Sequence, residues 1–478
     1  MKIYTVIFYQ SQWHRMDIDN FELCAEGLLR DSANTLITFQ SGDLIRSLML
    51  IDKRRLLPQI IDLESLDKQM SQQGKEFRND KPWRLLKMLK YHGIVKDDHQ
   101  LRQDAIKELL ELMAVSYRTL LENDEVEKER FEQIESPINE IIYKRQSEGI
   151  AFDTDEARSL CIRLEKEIYR IKNVFQFEHR IYAPDDISEQ KAYIDSKNYK
   201  LIKSPLFTFK ARRNDDPICR LFYEMLRSEQ DLNSVLYMLA HWGGPGRCYP
   251  VFFGFGTITS RVIVREPSLQ NLRKTNRSVI SADPKKKLLY VDYSQFEAGI
   301  LASLSEDPLL INLYNTDIYE DLALNVLGDA SKRPDAKVLF YRYMYGDTTL
   351  DQASTKYFQK FKKMVKFKAE VESQMKEQKK IGTDNGNFRY SDGEDHGWAL
   401  SHKIQATASL IYKHAVIRVA NEYPTAKFMI PMHDATLYQV DEFRYLYLKT
   451  KIAEIYKAEF KAVCPHINAE VKVTDKFS

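Results

Sequence analysis

Leu288-Leu289-Tyr290-Val291-Asp292-Tyr293-Ser294-Gln295-Phe296-Glu297 is the stretch on which the reading of this chain turns. The run Leu288–Val291 has the length and apolarity of a buried strand, and it ends on an acid. Ser294 with Glu297 three residues on reads as a capping box. Phe296, Ile300, Leu301 and Leu304 then recur at helical spacing, which predicts an amphipathic helix. Farther on, Arg333, Lys337, Tyr341 and Tyr345 stand four apart. Steps of four turn about 400° around a helix, so these side chains form one slowly drifting stripe. Two cations followed by two aromatics can hold a polyphosphate at one end and a sugar or base at the other.

Outward from this stretch, the chain has 478 residues, enough for two to four domains with large cores. A net charge of +2 excludes a uniformly basic nucleic-acid binder, so any such binding must come from local patches. The five cysteines are scattered, with no CxxC pair, which argues against a disulfide framework or zinc site and for a cytoplasmic protein. No run approaches a membrane span, and residues 1–10 lack the pattern of a signal peptide.

Strands are expected at 3–9 and 35–39, and a helix at 100–122. The charged run 122–130 reads as a solvated stretch near a domain boundary. Helical spacing covers 138–175 with a break at 149–153, then 217–240, 351–380 and 403–420. Residues 180–215 carry little signal, and 382–397 read as loop. Within 351–380, lysines alternate with Tyr357, Phe358, Phe361 and Phe367. That pattern suits either a nucleic-acid surface or core aromatics with solvated lysines opposite. Residues 427–440 read as two strands turning at His433-Asp434. Asp292 and Asp434 thus both fall at strand ends, the placement that a two-metal phosphoryl-transfer site requires.

Taken in order, Asp292-Tyr-Ser-Gln-Phe-Glu297, then Arg333-x-x-x-Lys337-x-x-x-Tyr341-x-x-x-Tyr345-Gly346, then His433-Asp434 closely resemble motifs A, B and C of the A-family DNA polymerases. Thr259-Ser260-Arg261 with Glu266-Pro-Ser-Leu-Gln270-Asn271 resembles the family's TGR…EPNLQN segment. Gln405-Ala-Thr-Ala resembles its QGTA stretch, and Glu135-Ser-Pro-Ile with Glu148-Gly-Ile-Ala-Phe-Asp153 its entry into the thumb. The resemblance covers residues 133–478. It implies an α+β, multidomain chain: a right-hand polymerase with an antiparallel palm sheet and helical fingers and thumb, preceded by a small α/β exonuclease-like domain at 1–132. The thumb would span about 140–240, the palm about 245–303 and 400–478, and the fingers about 304–399.

The resemblance further implies a DNA-directed DNA polymerase using two Mg²⁺ ions, with Mn²⁺ as a substitute, held by Asp292, Asp434 and the Tyr293 carbonyl. Arg333 and Lys337 would grip the triphosphate of a dNTP and Tyr341 would pack on its sugar and base. Tyr345 would stand near the template base, Glu297 would exclude a ribose 2′-hydroxyl, and Gln295 and Tyr319 complete the nucleotide side. Arg261 and Gln405 would reach the minor groove of primer-template DNA, Gln270 and Asn271 the template, and His433 the primer terminus. The sequence departs from the family at Arg342 (usually glycine), Ala435 (usually an acid), Ala298-Gly299 (commonly Leu-Arg) and Tyr319 (often histidine). Arg342 thereby adds a cation toward DNA or triphosphate.

At the N-terminus, Asp43, Asp62-Leu-Glu64 and Asp104 resemble only the later exonuclease motifs. The opening strand reads Phe8-Tyr9-Gln10-Ser11-Gln12 where two metal-binding acids belong, and Gln100 stands in for a tyrosine. Asp62 and Glu64 read as a surface pair, so proofreading is expected to be lost; no 5′-nuclease domain is read. Gap filling or lesion-tolerant synthesis fits that loss. A phage or mobile-element replicase working with an accessory factor, a single-subunit RNA polymerase and a catalytically silent DNA-binding subunit are the rivals. Glu297 argues against the RNA polymerase, and the retained motif residues against the silent subunit. A small accessory protein docking on the N-terminal domain is also expected.

Overall fold

The computed structural model describes residues 2–24, 32–51, 56–71, 84–96, 106–240, 246–391, 393 and 396–477. It divides into two compact units. One comprises residues 1–148, 252–263 and 285–475, the other 149–251, 264–284 and 476–478.

The first unit opens with a five-stranded sheet. Ile3–Tyr9 lies centrally, antiparallel to Gln12–Asp17, which pairs in turn with Leu23–Cys24; on its other side Thr35–Thr38 and then Gln59–Asp62 run parallel. The helix Ile106–Glu122 covers this sheet through Leu110, Met113 and Ala114, which pack with Met16, Ile37, Ile61 and Leu66. Asp62 and Glu64 are not a surface pair: both are buried. Asp62 caps the helix Leu63–Met70, accepting from the backbone N–H groups of Gln40, Ser41 and Glu64, and Glu64 binds Lys68. Asp43 is exposed on Ser41–Ile51 beside Arg46. Gln100 and Asp104 lie outside the described residues.

The charged run at 122–130 is also not solvated throughout. Glu127 and Arg130 are buried, because each ties distant segments together. Glu127 accepts from Gln69 Nε2 and from the N–H of Phe388, both at 2.9 Å. Residues 382–397, read as loop, contain most of a hairpin, Lys380–Thr383 with Gly386–Tyr390. Its tip packs on Glu127, and a Cβ at Gly386 would come within 3.0 Å of that carboxylate.

At the centre of this unit stands a four-stranded antiparallel sheet in the order Lys427–Met432, Ala435–Asp441, Lys286–Tyr293, Val471–Thr474. The strand Lys286–Tyr293 feeds the helix Phe296–Ser305, which is buried on nearly all sides rather than amphipathic. Gly299 explains its close packing, since a Cβ there would meet Tyr314 at 2.7 Å and Phe460 at 3.1 Å. The capping box does not form. Gln295 adopts a left-handed conformation and is the N-cap, which turns Ser294 away from the helix end. The helix Arg333–Met344 buries Ala336, Leu339, Phe340 and Met344, with Phe340 against Tyr319 and Phe358. In Gln352–Gln359 and Lys362–Gln378, Tyr357, Phe358 and Met364 are buried while the lysines face solvent, as in the core-aromatic reading.

The second unit is built on two long helices, Thr154–His179 and Pro217–Ala240, packed through Phe175, Phe222 and Met225. The low-signal region holds two short helices, Ile187–Ser196 and Pro205–Arg212. Among the described residues, no helix is long and apolar enough to cross a membrane.

Candidate active site

Strand register sets the geometry. Asp292, near the end of its strand, pairs directly with Ala435, so Asp434 at the adjacent hairpin turn lies beside it. Both acids are half-buried. Of the two residues between the hairpin strands, His433 is exposed with φ +46°. Below the acids, the Tyr293 ring stacks on Phe296 and its hydroxyl donates to the Tyr456 carbonyl at 2.7 Å, which anchors the strand end.

Arg261 joins this acidic end to the next helix. Its Nη2 lies 2.5 Å from Glu297 Oε1 and 3.8 Å from Asp434 Oδ1. Glu297 is 2% exposed, and its Oε2 has no hydrogen-bond partner among the described residues. Burial pushes its carboxyl up to about 7, with Asp434 adding to the rise and Arg261 opposing it. Arg261 is held charged: burial works against its cation, but Glu297 and Asp434 outweigh that cost.

The stripe predicted on Arg333–Met344 forms beside its buried face, since Lys337, Tyr341 and Tyr345 each follow a buried residue by one position, about 100° around the helix. The Arg333 and Lys337 charges lie 5.2 and 5.7 Å from the Tyr319 ring, and Lys337 lies 5.9 Å from that of Tyr341. Tyr341 and Tyr345 follow with centroids 5.6 Å apart, and Gln405 Nε2 donates to the Tyr345 hydroxyl at 2.8 Å. Burial raises the Tyr319, Tyr341 and Tyr345 hydroxyls, and the Glu297 negative charge raises them further. All three are therefore protonated donors at neutral pH. Lys337 in turn draws the Glu297 carboxyl down, so cationic stripe and acidic strand ends share one field.

A sequence model of DNA polymerase family A matches residues 213–477, more than half of the chain. The chain belongs to this family. It is 20% identical over 372 residues to a DNA polymerase I of Aquifex aeolicus, covering 69% of this chain and 64% of that protein. It is 25% identical over 365 residues to a DNA polymerase I of Caldicellulosiruptor bescii, covering 64% of this chain and 42% of that one. The chain therefore spans less than two thirds of the length of these relatives. In fold it is similar to the POL domain of Pol1 from M. smegmatis, solved in complex with DNA primer-template and dNTP: TM-score 0.73 at 17% identity, over 99% of this chain and 94% of that one.

Against the motifs of this polymerase family, the structure brings Asp292, Asp434, Arg261, Glu297, Tyr319, Arg333, Lys337, Tyr341, Tyr345 and Gln405 into one connected cluster. Gln295 stands apart in role: its amide donates to the Tyr314 carbonyl at 3.1 Å and accepts from the N–H of Ile318 at 2.9 Å, so both ends brace the fold. Arg342 turns off the stripe and is paired with Asp347 at 2.7 Å and Thr349 at 3.3 Å. Gln270 and Asn271 belong to the second unit, where Gln270 Oε1 accepts from the N–H of Val264 and the Asn271 carbonyl from Arg227. Sequence reasoning missed Asp317, which caps the helix Ile318–Leu327 and pairs with Arg333 at 2.7 Å. Its place immediately before an apolar helical run was the available signal.

Proposed function

We propose that this chain is a template-directed DNA polymerase that adds dNTPs to a primer 3′ end and lacks proofreading. The observation that carries the reading is the strand register that sets Asp292 opposite Ala435, next to Asp434, while Asp434 and the stripe residue Lys337 both act on Glu297. Two carboxylates and the Tyr293 carbonyl form an all-oxygen donor set, with no cluster of three or more His, Cys, Asp or Glu among the described residues. Such a set suits Mg²⁺, which keeps positions for water and substrate phosphate; Mn²⁺ can substitute. When bound, the two ions lower the pKa of the primer hydroxyl and neutralise charge at the transferred phosphorus.

The chain's own residues do the rest. Arg333 exchanges Asp317 for phosphate oxygens, and Lys337 supplies a second cation. Tyr341, backed by Tyr319, packs on the incoming sugar, and Glu297 closes the space beside its 2′ carbon. Arg261 leaves the Glu297 carboxylate to donate into the minor groove of primer-template DNA. Gln405, Gln270, Asn271 and His433 supply further DNA contacts. In this reading the thumb spans about 140–240, the palm about 245–303 and 400–478 and the fingers about 304–399, with 1–132 as an exonuclease-like domain.

Loss of proofreading is supported by the opening hairpin, where Phe8 faces Trp13 and Tyr9 faces Gln12, and by the capping role of Asp62. Gap filling or lesion-tolerant synthesis in the cytoplasm is the cellular setting, and exposed Phe8 and Leu23 suit a small accessory protein on the N-terminal sheet. The test is extension of a primed single strand with dNTPs and Mg²⁺, with and without a template lesion. Purified chain that does not extend either template refutes the reading.

A further inference from the structure

We infer that Ser260 is a positioning residue for Arg261: its hydroxyl is pinned by three buried charged groups, and that anchor fixes the turn from which Arg261 reaches Glu297 and Asp434. Ser260 has φ +60°, the left-handed region that favours glycine, and the resembling family segment carries glycine at this place. A serine there needs compensation, and the structure supplies it. Ser260 Oγ donates to Glu135 Oε1 at 2.8 Å and accepts from Lys413 Nζ at 2.5 Å and Arg130 Nη2 at 3.2 Å. One donor and two lone pairs are all that a hydroxyl has, so it is saturated. Its carbonyl accepts from Ser409 Oγ at 2.6 Å.

The neighbouring residue inherits this order. The N–H of Arg261 donates to Thr257 Oγ1 at 3.1 Å, and its carbonyl accepts from the N–H of Gly256 at 3.0 Å. With the backbone of 260 and 261 held on both sides, the guanidinium starts from a fixed base, from which it reaches Glu297 and Asp434. The anchoring charges are themselves built in. Glu135, Lys413 and Arg130 are buried, and Lys413 Nζ also binds Glu135 Oε2 at 2.5 Å and the Gly254 carbonyl at 3.0 Å. Arg130 also binds Glu135 and the Asn385 carbonyl. Burial presses the Lys413 ammonium down to about 8, and the Glu135 carboxylate opposes that loss of charge. These remaining partners matter for the test: removing the Ser260 hydroxyl strands none of the three charges, so the protein folds without it.

The assignment rests on the polymerase reading, and the experiment separates the two. Steady-state primer extension is measured for the parent, Ser260→Gly, Ser260→Ala, Arg261→Ala and the double variant Ser260→Gly/Arg261→Ala, with thermal unfolding of each. Ser260→Gly keeps the left-handed turn accessible and removes only the anchor. The expected result is a loss of about tenfold in kcat/KM, within the range that a misplacement of roughly 1 Å produces. Its unfolding temperature should stay within a few degrees of the parent. In the Arg261→Ala background the same change should cost less than twofold, because there is no guanidinium left to aim. Ser260→Gly at parental efficiency, or an equal loss in both backgrounds, overturns the positioning role while leaving the polymerase reading intact. A parent that does not extend overturns both.

Discussion

Glu297 provides a sharp test of the site's electrostatics, because its two oxygens live in different circumstances. Oε1 faces Arg261 at 2.5 Å, whereas Oε2 is buried with no hydrogen-bond partner among the described residues. An anion there is poorly solvated, and the carboxyl rises from 4.5 to about 7, first through burial and then through Asp434, against the pull of Arg261. The folded-state pKa is raised above the unfolded one, so between these values the folded chain binds more protons than the unfolded chain. The stabilising contribution of the protonated group is therefore complete below pH 4.5, declines as pH rises, and is gone above about 7. At 1.36 kcal/mol per unit the full excursion is about 3 kcal/mol. The perturbation is Glu297→Gln, which keeps the shape and removes the titration. The assay is urea denaturation of both proteins at pH 5, 6, 7 and 8 in metal-free buffer. Other titrating groups are common to both chains, so the difference between the two stability curves isolates this one. Parent stability should fall relative to the variant by about 1 kcal/mol per pH unit between pH 5 and 7, then run parallel. Curves that stay parallel throughout would refute the idea that Glu297 is an acid stranded by burial.

Asp292→Ala or Asp434→Ala should abolish primer extension while primer-template binding, which rests on phosphate contacts elsewhere, remains measurable; extension within tenfold of the parent would sink the assignment of both as metal ligands. Asp62→Ala removes the acceptor for three backbone N–H groups and should cost roughly 1–3 kcal/mol of stability in denaturant titrations, with no effect on the integrity of a mismatched primer end. Shortening of that end which depends on Asp62 would restore an exonuclease site. Tyr341 offers a protonated hydroxyl beside the proposed sugar position, able to stand in for a missing 3′-hydroxyl. The parent should therefore take dideoxynucleotides nearly as well as deoxynucleotides, and Tyr341→Phe should restore about ten- to a hundredfold discrimination. Strong rejection by the parent would remove Tyr341 from the sugar.

Much of this arrangement was legible because it is local. The strand ending at Asp292, the hairpin turning at His433-Asp434 and the stripe Arg333–Tyr345 are each set by short-range periodicity, and each forms where the residues place it. The helix after Asp292 was legible in its existence and not in its character. Phe296, Ile300 and Leu301 signal a helix, but the small residues between them, Ala298, Gly299 and Ala302, also face packed neighbours and bury the remaining sides. Periodicity counts large apolar residues and cannot distinguish a small residue facing water from one facing a tyrosine.

What stayed hidden is mainly charge that folding takes out of water. Glu135 and Lys413 are 278 residues apart, and Glu127 and Phe388 are 261 apart, so no local rule connects either pair. Read singly, each charge looks solvated, because an unpaired buried ion is too costly to expect. Paired and fully hydrogen-bonded, the same groups cost less buried than broken, and removing one partner would leave the other stranded at a penalty of about 3–5 kcal/mol. Such ties resist local change, and they join segments that share no apolar pattern: the Glu125–Arg130 helix, the Lys380–Tyr390 hairpin and the loop bearing Arg261. The acids proposed to hold the metals could be found from their own neighbourhoods. The side chains that aim Arg261 at them could be found only after the chain had brought residues 130, 135, 260 and 413 to one point.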